Sequence, residues 1–319
     1  MRLLRVELRK LRRPLLYWTA IAVVVVSALL VWGAEVNSVV YNPPPGAAPL
    51  TRESPPTCAF YDLPPGPECA KRQEAIRAAS ERDLRLALAG SRLARAGQQP
   101  LGVGRFAAGL LASLVGAGAL LLLAAGHVGG EWSGRTIKSI LVQDGRRGRL
   151  LVAKVASLWL TGVALLALTW ATLAVLTPYL AHKYANPTVN LSMSDAAGTA
   201  FSQAARALLV LGVFSMLGVA AAVLTRNTLG TFALGFGVVL LSQVLFGVAS
   251  VTRWTPAYWV TGWMRFRPGN LPADYLWTVQ SPPGVPSPTP GFGLVALLLL
   301  LAAVAVVTWS VFSRSDVTA

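Results

Sequence analysis

The chain has 319 residues, 54% of them hydrophobic and 13% charged, and a net charge of +15 at neutral pH. A soluble domain carries about 25% charged residues, so the deficit excludes an ordinary globular fold and indicates a membrane protein. So basic a soluble protein would suggest nucleic acid; here the basic residues flank apolar runs, so anionic lipid headgroups are the expected partner and nucleic acid is not.

Residues 1–14 read as an amphipathic helix. Leu4, Leu8, Leu11 and Leu15 share one face, and Arg2, Arg5, Arg9, Arg12 and Arg13 the other. A helix of this kind lies in the membrane interface, with Arg5, Arg9, Arg12 and Arg13 among the headgroups. Glu7, at the edge of the apolar face, reads first as an exposed carboxylate; the alternative is a pair with a neighbouring basic group or a partner subunit. Pro14 ends or kinks the element.

Residues 15–32 form the first expected span, about 27 Å long at 1.5 Å per residue. The run exceeds the apolar core of a signal peptide and no convincing cleavage site follows, so an uncleaved anchor is expected. Residues 33–105 are a large hydrophilic excursion, Pro-rich at first and reading as helix over about 68–96. Cys58 and Cys69, the only two cysteines, fall here. A disulfide would suit an oxidising exterior, and two free thiols are the alternative, because sequence does not show proximity.

The second span is expected at 106–128 and rich in small residues, which allow close helix approach in lipid. Residues 129–150 read as a short helix lying across the end of a membrane hairpin, followed by a basic turn. Ile137, Ile140 and Leu141 recur at helical spacing, and Gly145 and Gly148 break the pattern. Gly129 and Gly134-Arg135-Thr136 imitate a Walker A loop, but no strand precedes them and no βαβ pattern is present, so phosphate binding is not expected. His127 and Glu131 stand four apart, a conceivable metal pair, but two ligands do not make a site.

Further spans are expected at 151–179, 204–224, 229–251 and 292–312. A polar segment follows the third span, a second external loop occupies 252–291, and a short tail 313–319. Trp254, Trp259, Trp263 and Trp277 suit an interfacial belt. Six spans put both termini on one side. The positive-inside rule makes that side cytosolic, because Arg and Lys crowd the amino terminus and the 135–154 stretch. Arg-over-Lys usage and abundant Ala hint at a GC-rich bacterial genome, hence a multi-pass protein of a bacterial plasma membrane.

Ionisable residues inside spans are the usual mark of ion or proton pathways. Almost none occur here. Gln243 is polar, and Lys154 and Arg206 are placed to snorkel to interfaces. With two His in the chain, and no catalytic constellation or metal-ligand cluster legible, no catalytic, cofactor or metal site is expected. Energy for any transport must then come from outside the chain.

The stretch Gly130-Glu131-Trp132, then Gly134-Arg135-Thr136-Ile137-Lys138-Ser139-Ile140-Leu141, a basic turn and Leu150-Leu151-Val152-Ala153-Lys154, resembles the ABC-2-type permease family. Arg135 intervenes between the Gly and the Thr of the family pattern, and Asp144-Gly145 replaces its usual Pro. The resemblance implies an all-α polytopic membrane protein with six transmembrane helices and a cytosolic coupling helix between spans 2 and 3. It implies a second permease chain and cytosolic ABC ATPase subunits that bind ATP and Mg. The substrate expected is a drug, peptide or amphipathic, lipid-like molecule, and the direction export. Glu131, Trp132, Arg135, Thr136, Ile137, Lys138, Ile140 and Leu141 would form the ATPase-coupling surface, with Ile137, Ile140 and Leu141 as apolar anchors. The alternatives are a membrane-embedded enzyme using His127, Glu131 or Gln243, and a non-transporting scaffold or immunity protein acting through its Cys58–Cys69 loop.

Overall fold

The computed structural model describes residues 2–11, 14–41, 66–71, 73–74, 100–134, 136–137, 147–183, 193–265, 285–286 and 288–314. The described residues are helical and turn segments only, and six helices are long and apolar enough to cross a membrane. The spanning stretches are Pro14–Gly33, Leu114–Ser133, Arg147–Leu180, Ala197–Thr225, Thr228–Phe246 and Pro290–Arg314. The chain is a multi-pass membrane protein by this measure.

In chain order the helices are α1 (Arg2–Leu11), α2 (Pro14–Tyr41), α3 (Gly104–Leu111) and α4 (Leu114–Ala124). A π-helical turn (Ala125–Gly129) leads into α5 (Gly130–Ser133). Then come α6 (Arg147–Lys183), α7 (Met193–Thr225), α8 (Thr228–Phe246), α9 (Pro256–Met264) and α10 (Pro290–Arg314).

α7 is the hub. It packs against α3, α4, α6, α8 and α10. Its Ala207, Val210, Leu211, Phe214, Val219 and Ala222 are buried within the central apolar cluster. α10 lies at the rim, with few of its residues buried, and Leu299 and Val306 face outward. Outward leucine and valine of this density have no favourable surroundings in water but are at home against acyl chains. Several hydroxyls inside the spans turn back onto their own helices, whereas Thr169 and Thr177 Oγ1 are buried without a hydrogen-bond partner among the described residues. Ser27 donates to the Val23 carbonyl, Thr161 to Ser157, Ser215 to Leu211 and Thr308 to Val304. In a medium without water such internal pairing spares the hydroxyl the cost of an unmade hydrogen bond.

Three departures from the sequence expectation matter. First, 106–128 is not one helix. The chain breaks at Ala112 and Ser113, where Ser113 Oγ accepts from Val115 N at 3.2 Å and donates to the Leu110 carbonyl at 2.6 Å. This cap starts α4 at Leu114. It frees α3, buried almost throughout, to wedge against α6 and α7. Second, α7 starts at Met193, so part of the polar segment expected before 204 is already helical. Third, α9 falls inside 252–291 and is buried against α7, α8 and α10. Thr255 caps it and Pro256 occupies its first turn, where a missing N–H costs nothing. Gln203 Nε2 donates to the Met264 carbonyl, and Trp263 Nε1 to the Arg206 carbonyl at 2.9 Å. These bonds fasten α9 to α7.

Candidate functional site

One end of the bundle carries a buried ring of charges. α1 supplies Glu7 and Lys10, one turn apart. The π-helical turn and α5 supply His127 and Glu131, and α6 supplies Lys154. Lys10 Nζ donates to Glu7 Oε1 at 3.1 Å and to Glu131 Oε1 at 3.0 Å. Lys154 Nζ donates to Glu7 Oε2 at 3.2 Å and makes a short hydrogen bond to Glu131 Oε2. Each carboxylate therefore gives one oxygen to each ammonium, and the four groups close a loop of alternating sign. His127 Nε2 stands 2.9 Å from Glu7 Oε2, an ion-pair distance without the alignment of a hydrogen bond.

Glu7, His127, Glu131 and Lys154 are each at most 4% exposed. Ions this deep keep their charge only when paired and hydrogen-bonded. Burial pushes the Glu7 carboxyl up. Its contacts with His127, the Lys154 charge and Lys10 outweigh that and hold it at about 2, below its ordinary 4.5. Burial pulls the Lys10 ammonium down, and hydrogen bonds and charge from Glu131 and Glu7 overcome it, so its pKa is raised.

Local backbone chemistry places these groups. The π-helical turn widens the helix where His127 projects, a distortion often found at functional positions. It also brings Gly129 against the α7–α8 turn. A Cβ there would lie 2.6 Å from Thr231 Oγ1 and 3.0 Å from the Asn227 carbonyl oxygen, so only glycine permits the approach. That turn holds Arg226 at φ 54°, a left-handed conformation unusual for arginine. Its guanidinium lies 5.4 Å from the centre of the Trp132 ring. Trp132 meets Phe312 of α10 edge to face at 6.5 Å. Ser133 Oγ accepts from Thr228 N at 3.1 Å. Arg147, opening α6, donates to the Ser313 carbonyl at 2.8 Å. The start of α6, the α7–α8 turn and the last turn of α10 thus converge on α5.

The ligand atoms of Glu7, His127 and Glu131 lie within 4.8 Å of one another, close enough for a metal ion. The two ammonium groups already neutralise both carboxylates. A dication added there would place three cations against two anions in a buried space, so the donor set suits a salt-bridge lock and not a metal centre.

Several expectations are corrected here. Glu7 is not an exposed carboxylate, and Lys154 does not snorkel: each is 1–2% exposed. Ile137 is 2% exposed within this chain's own core, so it backs the segment and is not available as an outward anchor. Thr136 is exposed, and its Oγ1 donates to the Glu131 carbonyl at 3.3 Å. Arg135, Lys138, Ile140 and Leu141 lie outside the described residues, as do Arg12, Arg13, Cys58 and the side chains of Arg5 and Arg9. Cys69 is buried in a short helical stretch. Gln243 Nε2 is buried without a hydrogen-bond partner among the described residues. Sequence reasoning missed Glu7, Lys10 and Lys154 as site residues. The available signals were a lone acid among six basic residues at the amino terminus and a lone lysine entering an apolar run.

Comparison with family models, curated proteins and solved structures finds no match to the chain.

Proposed function

We propose that the chain is the permease subunit of an ATP-binding-cassette transporter of the ABC-2 type. It would export an amphipathic or lipid-like substrate, drug or peptide with energy from a separate cytosolic ATPase, paired with a second permease chain. In this reading the membrane is a bacterial plasma membrane, both termini are cytosolic, and Cys58 pairs with Cys69 outside.

The observation that carries the reading is the ion ring. Glu131, the first acidic residue of the family-like motif, is bolted to α1 through Lys10 and to α6 through Lys154. A push on residues 131–142 would therefore reach α1 and two spans at once, as a coupling segment requires. An embedded enzyme is supported less well. Of its three candidate groups, the Glu131 carboxylate is saturated by two ammonium groups, and His127 faces Glu7. With Ile137 buried, Ile140 and Leu141 are the remaining apolar anchors.

The test is to purify the full chain from native membranes and assay the eluate for vanadate-sensitive ATP hydrolysis. Wild type should bring the activity with it. Ile140→Ala with Leu141→Ala should insert normally and lose at least about tenfold of it, since such anchors cost about 2 kcal/mol or more each when truncated. An eluate from wild type with no ATPase would overturn the proposal.

A further inference from the structure

An open groove of about 760 Å³ runs between α6, α7 and α10. Val152, Ala156 and Trp159 form one wall, Gly212 the floor, and Val306 and Trp309 the other wall. Its surface is apolar almost everywhere. Trp159 even turns its one polar atom away, donating Nε1 to the Leu208 carbonyl at 2.9 Å. Val152 and Val306 are each 67% exposed, so the walls are uncovered by this chain.

One end of the groove is different. The Trp309 ring closes on Gly148, where a Cβ would come within 2.4 Å of it. The next residue is Arg149. It is exposed and makes no hydrogen bond or ion pair among the described residues. At 100° per residue Arg149, Val152 and Ala156 share one face of α6, so the guanidinium stands in line with the groove wall. Residues 147–153 add Arg147 and contain no acid.

We propose that this groove binds one anionic phospholipid, with an acyl chain between α6 and α10 and the phosphate on Arg149. Charge complementarity selects this occupant. The apolar length accepts a hydrocarbon chain, and a guanidinium beside an interfacial tryptophan marks the headgroup level. A second copy of this chain would have to bring an acid to Arg149 as well as an apolar ridge. The inference does not depend on the transport reading.

Native mass spectrometry of the full, delipidated chain offered phosphatidylglycerol or phosphatidylcholine tests it. Wild type should retain phosphatidylglycerol about fivefold better, the effect of about one basic residue near an anionic lipid phosphate. Arg149→Ala should abolish the preference while leaving weak retention of both lipids. Gly212→Leu should reduce retention of both, because a Cβ there already lies 3.7 Å from Trp159 and a longer side chain must enter the groove. Equal phosphatidylglycerol retention by all three proteins would overturn the proposal. So would a wild-type dimer that Gly212→Leu converts to monomer with the lipid count unchanged, which would give the groove to a second copy.

Discussion

Replacing Lys154 by Met tests the ion ring directly. Lys154 is 2% exposed, and its ammonium holds one oxygen of Glu7 and one of Glu131. Methionine keeps most of the side-chain volume, so little cavity is made and the effect isolates charge. Without it two buried carboxylates share one ammonium, Lys10, which is itself partly exposed. Removing one partner of a buried pair costs about 3–5 kcal/mol, because the remaining charge is left uncompensated. The apparent melting temperature of the detergent-solubilised protein, followed by tryptophan fluorescence, should fall by on the order of 5 °C or more. Adding Glu131→Gln restores charge balance, so the double variant should be more stable than the sum of the singles, with a coupling of about 1–3 kcal/mol. A single variant within about 0.5 kcal/mol of wild type, or strictly additive effects, would refute the claim that the ring is a paired, load-transmitting unit.

Three further expectations follow from the same geometry and from the proposed topology. The Glu7 carboxyl is depressed to about 2 in the folded protein, so its contribution to stability is complete above the ordinary carboxylate value and is lost as pH falls through about 2. Acid titration of thermal stability should show this loss below pH 4.5, and Glu7→Gln should flatten that part of the curve; an unchanged curve would count against the paired carboxylate. For orientation, single cysteines at Ser139 and Ser315, in a chain lacking Cys58 and Cys69, should be protected from membrane-impermeant thiol reagents in intact cells, and one at Thr289 should be labelled. Labelling at Ser139 from outside would reverse the assignment. The expected Cys58–Cys69 bridge is checked on the chain that keeps both cysteines, by mass spectrometry of non-reduced peptides, and finding both thiols free would remove it.

Six apolar lengths were legible in the sequence because a bilayer imposes a minimum run of apolar residues on any spanning helix. Interruptions within that framework were harder to read. The Ser113 cap and the Thr255-Pro256 start of α9 are present as local signals, yet each sits in apolar or aromatic surroundings that periodicity alone reads as continuous span or as loop. Ile137 lies at the right spacing for an exposed anchor; only the packing around it shows which way it faces.

The charged ring marks the boundary most clearly. His127 and Glu131 are visible as near neighbours because four residues of helix bring them to one face. Glu7 and Lys154 are separated by 147 residues, and each alone resembles an ordinary interfacial charge. A buried carboxylate stays ionised only when it is paired and hydrogen-bonded, and here the partners of Glu7 and Glu131 come together only when three helices pack. Composition determined that this chain enters a membrane and roughly where it crosses. The packing of α1 against α6 and α5 decided which of its few charges remain inside.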